Sequence, residues 1–477
     1  NMRRDNFTWQ TKLTKEKYEL TASVLFSDMY YQTPGALTLT EFNNNPKAAR
    51  PPVGGFPSAV NAKAAIFQKN FLAGINNYFI ISPSIKNNTI IYGSYAQVKN
   101  SAIRNYERRT EPSFGGRSVF SWRKSNPQSD WNIIAGAEFQ QGYFNTQVSK
   151  NKNGNPDTLQ TNDDIVTSNL SLFTQASIDI GQSWSVIGGF SVTKTKLELT
   201  RLNSYPVIAQ SRTYRNELAP RLSVMKKINE NIHWLAAVSK GFSPPTVAEV
   251  LPSTGVISTY LEAERGWNYE TNLRFFLLKS RLKLELTGFY FKLDEALVQR
   301  RDAGGADFFI NAGDTKQKGI EFHADYSKNC FGNIISKFKI RTDFTFNHFR
   351  YGHFVKGTDD FSGKKIPSVP STVFTVLADL YSYQGIYLNA NYYTASSIYL
   401  NDANTAKAEP YHLIGCQLGW KKREKGPYRL NIYAGVDNLL DETYSMGNDI
   451  NAAGGRYYNA APKRNYYIGI ALQWLKK

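Results

Sequence analysis

The stretch Asn465 to Trp474, close to the end of the chain, alternates strictly. Tyr466, Ile468, Ile470, Leu472 and Trp474 fall on one side of an extended backbone, and Tyr467, Gly469, Ala471 and Gln473 fall on the other. The last residues of a soluble domain are usually loose and polar. These instead form an amphipathic ribbon. The pattern recurs in "YHLIGCQLGW", where Ile414, Cys416, Leu418 and Trp420 oppose Leu413, Gly415, Gln417 and Gly419. In "RLKLELTGFY", Leu282, Leu284 and Leu286 oppose Lys283, Glu285 and Thr287. A period of two marks strands whose faces meet different solvents. The runs reach roughly 10–14 residues, against a mode of about 5–6 in soluble proteins. Tilted strands crossing a bilayer need about 9–11.

The connections alternate too. Thr14 to Lys17, Lys227 to Asn231, Leu278 to Arg281 and Lys422 to Gly426 are short and basic. Tyr31 to Phe67, Tyr143 to Ile165, Phe242 to Gly266, Arg300 to Lys316, Gly352 to Val369 and Asp437 to Pro462 are long, polar and rich in Gly, Asn and Pro. Short turns on one side and long loops on the other predict an all-β, transmembrane antiparallel β-barrel with periplasmic turns and extracellular loops, of about 19 strands. A barrel pairs every backbone group within the protein, so the last strand should zip against the first. Its apolar face should meet hydrocarbon, with Trp474 in the interfacial girdle and the closing lysines Lys476 and Lys477 in the periplasm. A soluble propeller would show blade repeats of about 40–45 residues, and none occurs.

Composition narrows the class further. Over 477 residues the chain is 41% hydrophobic and 14% aromatic, enough to bury a core. Its formal charge of +18 favours anionic partners, but the basic residues are scattered and no nucleic-acid motif is present, so nucleic acid is not expected. Cys330 and Cys416 lie far apart without ligand-like spacing, which argues against a disulfide framework or zinc site. No run of about 18 apolar residues predicts a transmembrane helix. The opening "NMRRDNFTWQ" lacks the apolar core of a signal peptide. No hydrolase, metalloprotease or P-loop motif sits in a suitable context, so the chain reads as a non-enzyme without a cofactor. The glycine pairs at 54–55, 115–116, 304–305 and 454–455 read as loop turns.

Five segments, in order, resemble the barrel of TonB-dependent outer-membrane receptors. They are "KGFSPPTVAEVL" (Lys240 to Leu251), "LEAERGWNYETNLRF" (Leu261 to Phe275), "LTGFYFKLDEALVQR" (Leu286 to Arg300), "FINAGDTKQKGIEFHADY" (Phe309 to Tyr326), and "DNLLDETY" with "GGRYYNAAPKRNYYIGIALQW". "YYQTPGALT", "NNPKAARP" and "IRNYERRTEPSFGGR" resemble the ferric-siderophore and ferric-citrate branch. The resemblance implies a location in the outer membrane of a Gram-negative bacterium. It further implies uptake of an iron chelate, energised by the TonB complex through a plug domain. Barrels of this type have about 22 strands. Residues 1–477 therefore read as the C-terminal barrel portion, without the plug and about three strands, and unable to gate uptake alone. Outer-membrane lipid and lipopolysaccharide are the other expected partners. The alternatives are a haem, cobalamin or glycan importer of the same fold, or a non-transporting attachment barrel.

An anionic chelate calls for arginine forks, which bind paired oxygens, and for rigid aromatic contact area. The candidates are Arg104, Tyr106, Arg108, Arg109 and Arg117 in one loop, Arg300 and Arg301 in another, and Tyr444, Arg456, Tyr457 and Tyr458 in the last. Glu107 and Glu111 stand ready to brace some of these arginines instead. His348 and His353 lack metal-ligand spacing and read as solvated side chains. Glu270, Glu285, Glu321, Asp325, Lys283 and Arg274 are expected to line the lumen, since Arg or Lys facing lipid at mid-bilayer costs about 2–4 kcal/mol.

Overall fold

The computed structural model describes residues 2–252, 257–303, 306–356, 358–421 and 428–474, without the side chains of 330 and 331. The basic turn 422–426, the glycine pair 304–305 and the closing lysines fall outside these residues. Twenty strands form one antiparallel sheet. Ala209–Thr213 and Glu217–Asn229 lie end to end against the same partner, Trp184–Arg201. The twenty strands therefore make nineteen paths, each paired with the next in an up-and-down meander, as the alternation predicts.

The turns at 15–17, 230–231 and 278–281 close tight hairpins at one end. The other end carries the long loops. Three of the segments read as loops are instead continued strands. Residues 103–117 belong mostly to Asn105–Ser125, residues 143–165 to the hairpin of Ser129–Lys152 with Asn155–Ile180, and residues 300–316 to Leu282–Arg301 with Asp307–Phe331. Past the apolar band both faces are wet, so polar residues continue the ladder with no hydrophobic period to reveal it. Gly115 and Gly116 accordingly sit within a strand, where Gly115 leaves room for the Tyr92 ring rather than making a turn.

The register sorts side chains into two faces. Trp234, Leu273, Leu286, Phe322, Phe344 and Phe374 form one continuous cross-strand row. On the opposite face, His233, Arg274, Glu285, His323 and Asp343 make the corresponding row. There Arg274 pairs with Glu285 at 3.2 Å, and Lys339 and Arg341 both reach Asp325 at 3.3 Å. The first face meets hydrocarbon and the second the lumen. In Asn465–Trp474 the outward Ile468 is 82% exposed, and Trp474 stacks on Tyr428 at the short-turn end. Inside, Tyr387, Tyr467 and Tyr433 each lie across a directly paired glycine, Gly419, Gly435 and Gly469 respectively. A Cβ there would collide with the ring, so glycine is what lets each tyrosine lie flat on the wall.

The expected zip of last strand to first is not made. Among the described residues Met2–Thr14 pairs only with Tyr18–Gln32, and Asn465–Trp474 only with Tyr428–Asp437. Both run toward the short-turn end, because nineteen is odd. They cannot meet as an antiparallel pair.

The buried apolar core is not in the barrel wall but in a cap at the long-loop end. One cluster joins Ile165, Leu197, Leu199 and Tyr214 to Val250 and Leu251. A second joins Leu37 and Phe42 to Leu400, Ala408 and Tyr458. A third joins Ala312, Tyr351, Phe354 and Phe361. The second cluster is stitched by a bridge in which Leu37 N–H donates to Tyr458 O at 2.9 Å and Tyr458 N–H to Leu37 O at 3.1 Å. At the centre Asp402, 1% exposed, accepts from Arg300 Nη2 at 2.6 Å, Tyr351 Oη at 2.8 Å and Asn451 Nδ2 at 3.1 Å. Strands from the middle of the meander are thereby tied to loops at its two ends, across the mouth of the lumen.

Candidate functional site

A cavity of about 380 Å³ opens in this cap, in the range of small-molecule sites. Its walls come from four places: loop 33–64, the turn at 102–104, the hairpin around 301–307 and loop 438–464. Arg104, Arg301 and Arg456, named from three separate stretches of sequence, all line it.

Two of the three are held by strong pairs. The helix Leu39–Asn44 begins with a capping box, in which Glu41 N–H donates to Thr38 Oγ1 and Thr38 N–H to Glu41 Oε2 at 3.0 Å. That fixes the Glu41 carboxylate to receive Arg456 through two bonds, at 2.7 and 2.9 Å. Burial raises the Glu41 pKa, but the hydrogen bonds from Arg456 and Thr38 overcome it and hold the carboxyl below its usual range. Arg301 forks onto Asp307 at 2.7 and 3.2 Å and also binds Asp449. Burial pushes the Asp449 carboxyl up, against the pull of Arg301. Arg104, about half exposed, reaches Asp302 at 3.2 Å.

A fourth arginine was not singled out from the sequence. Arg50 is 5% exposed and lines the same cavity. Its Nη2 donates to Ala303 O at 3.3 Å, while its Nε has no hydrogen-bond partner. Among the described residues no carboxylate pairs with it. Burial, and next the charge of Arg456, pushes its pKa down. Gly35, with φ +73°, lets the chain fold against the Arg50 stem, and a Cβ there would stand 3.1 Å from Arg50 Cβ. The charges of Glu41 and Asp449 pull the Arg50 pKa back only in part, and a buried cation without a hydrogen-bonded carboxylate is costly, so an anion bound beside Arg50 would relieve it. Nothing local in "NNPKAARP" marks this residue. Its surroundings come from positions far along the chain.

The other candidates are dispersed. Arg300 serves Asp402 in the cap. Tyr106 is buried beneath Arg108, whose guanidinium lies 5.7 Å from the ring centroid. Arg108 shares a strand face with Phe114, the outward one. Arg109 stands between Glu107 at 3.6 Å and Glu111 at 3.5 Å. Arg117 lies mid-strand on the lumen wall, beside Glu138 and over Phe173. Tyr444 stacks on Tyr411 at 4.6 Å and lines a second cavity of about 360 Å³, with Tyr458. Tyr457 meets Tyr458 edge-on.

A family model described as TonB dependent receptor-like, β-barrel, matches residues 6–439. The unliganded ferric citrate transporter FecA is similar in structure, with a TM-score of 0.80 at 16% identity over 99% of this chain and 70% of that one. The siderophore receptor PiuA of Acinetobacter baumannii gives 0.76 at 13% identity, over 99% and 74%. The ferric yersiniabactin uptake receptor FyuA of Yersinia pestis gives 0.72 at 14%, over 99% and 71%. At these identities the likeness shows the fold.

Proposed function

This chain belongs to the TonB-dependent receptor-like β-barrel family, and on that footing we propose that it serves in the outer membrane of a Gram-negative bacterium as a receptor for an anionic iron chelate. The observation that carries the reading is the cap cavity, where Arg50 has no carboxylate pair of its own among the described residues, beside arginines already held in place by carboxylates. A chelate carrying carboxylate or hydroxamate-like oxygens gains charge-assisted hydrogen bonds from Arg50 and from the exposed Arg104. Arg301 and Arg456 shape the floor rather than donate freely, because Asp307, Asp449 and Glu41 occupy their forks. Aromatic contact area comes from the neighbouring Tyr444 cavity. Release into the lumen is then driven by the TonB complex through a plug of the kind the family carries. No bond of the cargo is made or broken, so the protein is a transporter.

The test is calorimetric titration of the detergent-extracted protein with ferric citrate and a panel of ferric hydroxamates and catecholates. At least one carboxylate- or hydroxamate-bearing chelate should bind. Arg50→Met should weaken it roughly tenfold or more, the worth of a hydrogen bond to a charged group. Unchanged binding in Arg50→Met would remove the proposed site. Binding of haem, cobalamin or a glycan in place of every ferric chelate would replace the cargo.

A further inference from the structure

One panel of the lumen wall is smooth. Ile386–Ala395, Tyr411–Lys421, Tyr428–Asp437 and Asn465–Trp474 lie side by side. Besides the tyrosine–glycine pairs already described, Asn391 lies across its own paired glycine, Gly415. In each pair the missing Cβ lets the opposite side chain lie down, so neither member stands into the lumen. The hydroxyls are tied to the wall as well. Tyr387 Oη donates to Asn431 Oδ1 at 3.0 Å and accepts from Gln417 Nε2 at 3.1 Å, and Tyr467 Oη donates to Gln417 Oε1 at 3.2 Å.

The panel joins two cavities. At its upper end Tyr393 and Tyr411 line the Tyr444 cavity beneath the cap. At its lower end a cavity of about 1230 Å³ opens at the short-turn mouth of the lumen, lined by Lys337, Lys421, Arg429, Tyr381 and Tyr387 among others. Lys337, Tyr381, Tyr387 and Gly419 make one cross-strand row, and Lys421 and Arg429 take the next two rows toward the turns. Lys421 Nζ stands 5.0 Å from the Tyr387 ring centroid. Lys337 and Lys421 are separated by three strand spacings of about 4.8 Å, or roughly 14 Å. Higher on the lumen face Glu285 pairs with Arg274, and Asp325 with Lys339 and Arg341. Asp379, one row above Lys337, accepts from Asn389. Among the described residues no carboxylate pairs with Lys337, Lys421 or Arg429, and all three are exposed.

We propose that this panel is the side of the lumen along which an anionic cargo travels, and that Lys337, Lys421 and Arg429 form a second anion site that receives it at the short-turn end. A flat wall of ring faces and fixed amides offers contact with no side chain to push aside. Unpaired cations clustered at its lower end raise the local concentration of an oxygen-rich anion there. Being exposed, they are screened, so the site is strong enough to draw the anion down and weak enough to let it leave. The inference rests on the proposed function for the charge of the cargo. It adds a second site and a defined side of the barrel.

The test uses the full-length protein in cells lacking other ferric-chelate receptors, supplied with radio-iron chelates of citrate, a trihydroxamate and a tricatecholate. Binding is read on de-energised cells and uptake on energised ones. The native protein should bind and take up at least one chelate. Lys337→Gln/Lys421→Gln/Arg429→Gln should bind it at the cap with native affinity, while its maximal uptake rate falls roughly tenfold, the worth of a hydrogen bond to a charged group. Lys337→Arg/Lys421→Arg should keep the native rate. Ala471→Trp, in the row of Lys421 and Asn431, raises an indole from the panel and should slow uptake likewise. Lys86→Gln and Ser121→Trp, a cross-strand pair at the same end on another part of the wall, should both leave uptake unchanged. Native uptake by the triple variant, or equal losses in Lys86→Gln and Ser121→Trp, overturns the proposal and leaves the cap reading standing. Vancomycin sensitivity of the triple variant also overturns it, because cations that only brace the plug would give that leak. Absence of any chelate binding by the native protein refutes the functional reading, and this inference falls with it. Heat-modifiable migration on gels checks that each variant is folded.

Discussion

Asp402→Asn should loosen the cap without unseating the barrel. The carboxylate is almost fully buried and accepts from Arg300, Tyr351 and Asn451. Asparagine keeps the shape but turns an N–H₂ toward one of these donors and removes the charge paired with Arg300. Stranding one partner of a buried pair costs about 3–5 kcal/mol. Arg300 is 15% exposed at its side chain, so the lower end applies. About 3 kcal/mol corresponds to a factor of roughly 150 in a local opening equilibrium. Hydrogen exchange reads this directly. Leu400 N–H donates to Ala406 O and Asn451 N–H to Leu400 O, both at 2.9 Å, and both amides should lose about that much protection. Amides in the barrel strands should keep theirs. A matched variant, Arg300→Met/Asp402→Leu/Tyr351→Phe, removes the carboxylate together with two of its three donors, leaves Asn451 Nδ2 its bond to Gln299 O at 3.2 Å, and should recover most of the loss. Less than about a fivefold change in Asp402→Asn, or a triple variant as open as the single, would refute this account of the hub.

Three further outcomes follow from the same geometry. The Glu41 carboxyl has a lowered pKa in the folded protein, so its link to Arg456 contributes fully above the ordinary value of 4.5 and is lost as pH falls through the lower folded value. Protease nicking of loop 438–464 should therefore rise on acidification below that value, and Glu41→Gln should show the same nicking at neutral pH. Gly419→Val forces a side chain into the Tyr387 ring and should destabilise the barrel by about 1–3 kcal/mol, seen as a lower temperature of heat-modified migration. Leu400→Ala empties a fully buried position in the cap and should cost about 2–5 kcal/mol of cap stability, read by the same exchange amides, with the barrel unchanged.

The wall was legible because lipid imposes a strict rule: every second residue of Asn465–Trp474 must be apolar, and short local windows carry that rule. It stops where lipid stops. Beyond the apolar band, Asn105–Ser125 and the hairpin of Ser129–Lys152 with Asn155–Ile180 remain strands, but they carry Arg, Asn, Thr and Asp on both faces and read as loops. The site was half legible for a similar reason. Arg104, Arg301 and Arg456 stood out as arginines in or beside polar loops, and they do share a cavity. Which of them is free to meet an anion depended on Glu41, Asp307 and Asp449, and the choice of Arg50 depended on Ala303. Those contacts are made by tertiary folding of the cap, and no local period encodes them. Arg300 and Arg301, adjacent in sequence, point to opposite faces of one strand end, and only one of them reaches the cavity.

Because the packed interior lies above the barrel, the two parts of this protein obey different tolerances. In a saturation scan scored by surviving folded protein, positions such as Ile468 and Leu472 would accept any aliphatic or aromatic residue and reject charge. Positions such as Leu37, Ile165 and Leu199 would reject even a change of side-chain shape. The outer face would answer to hydropathy and the cap to volume. A drift in sequence that leaves the barrel intact would then still reshape the mouth.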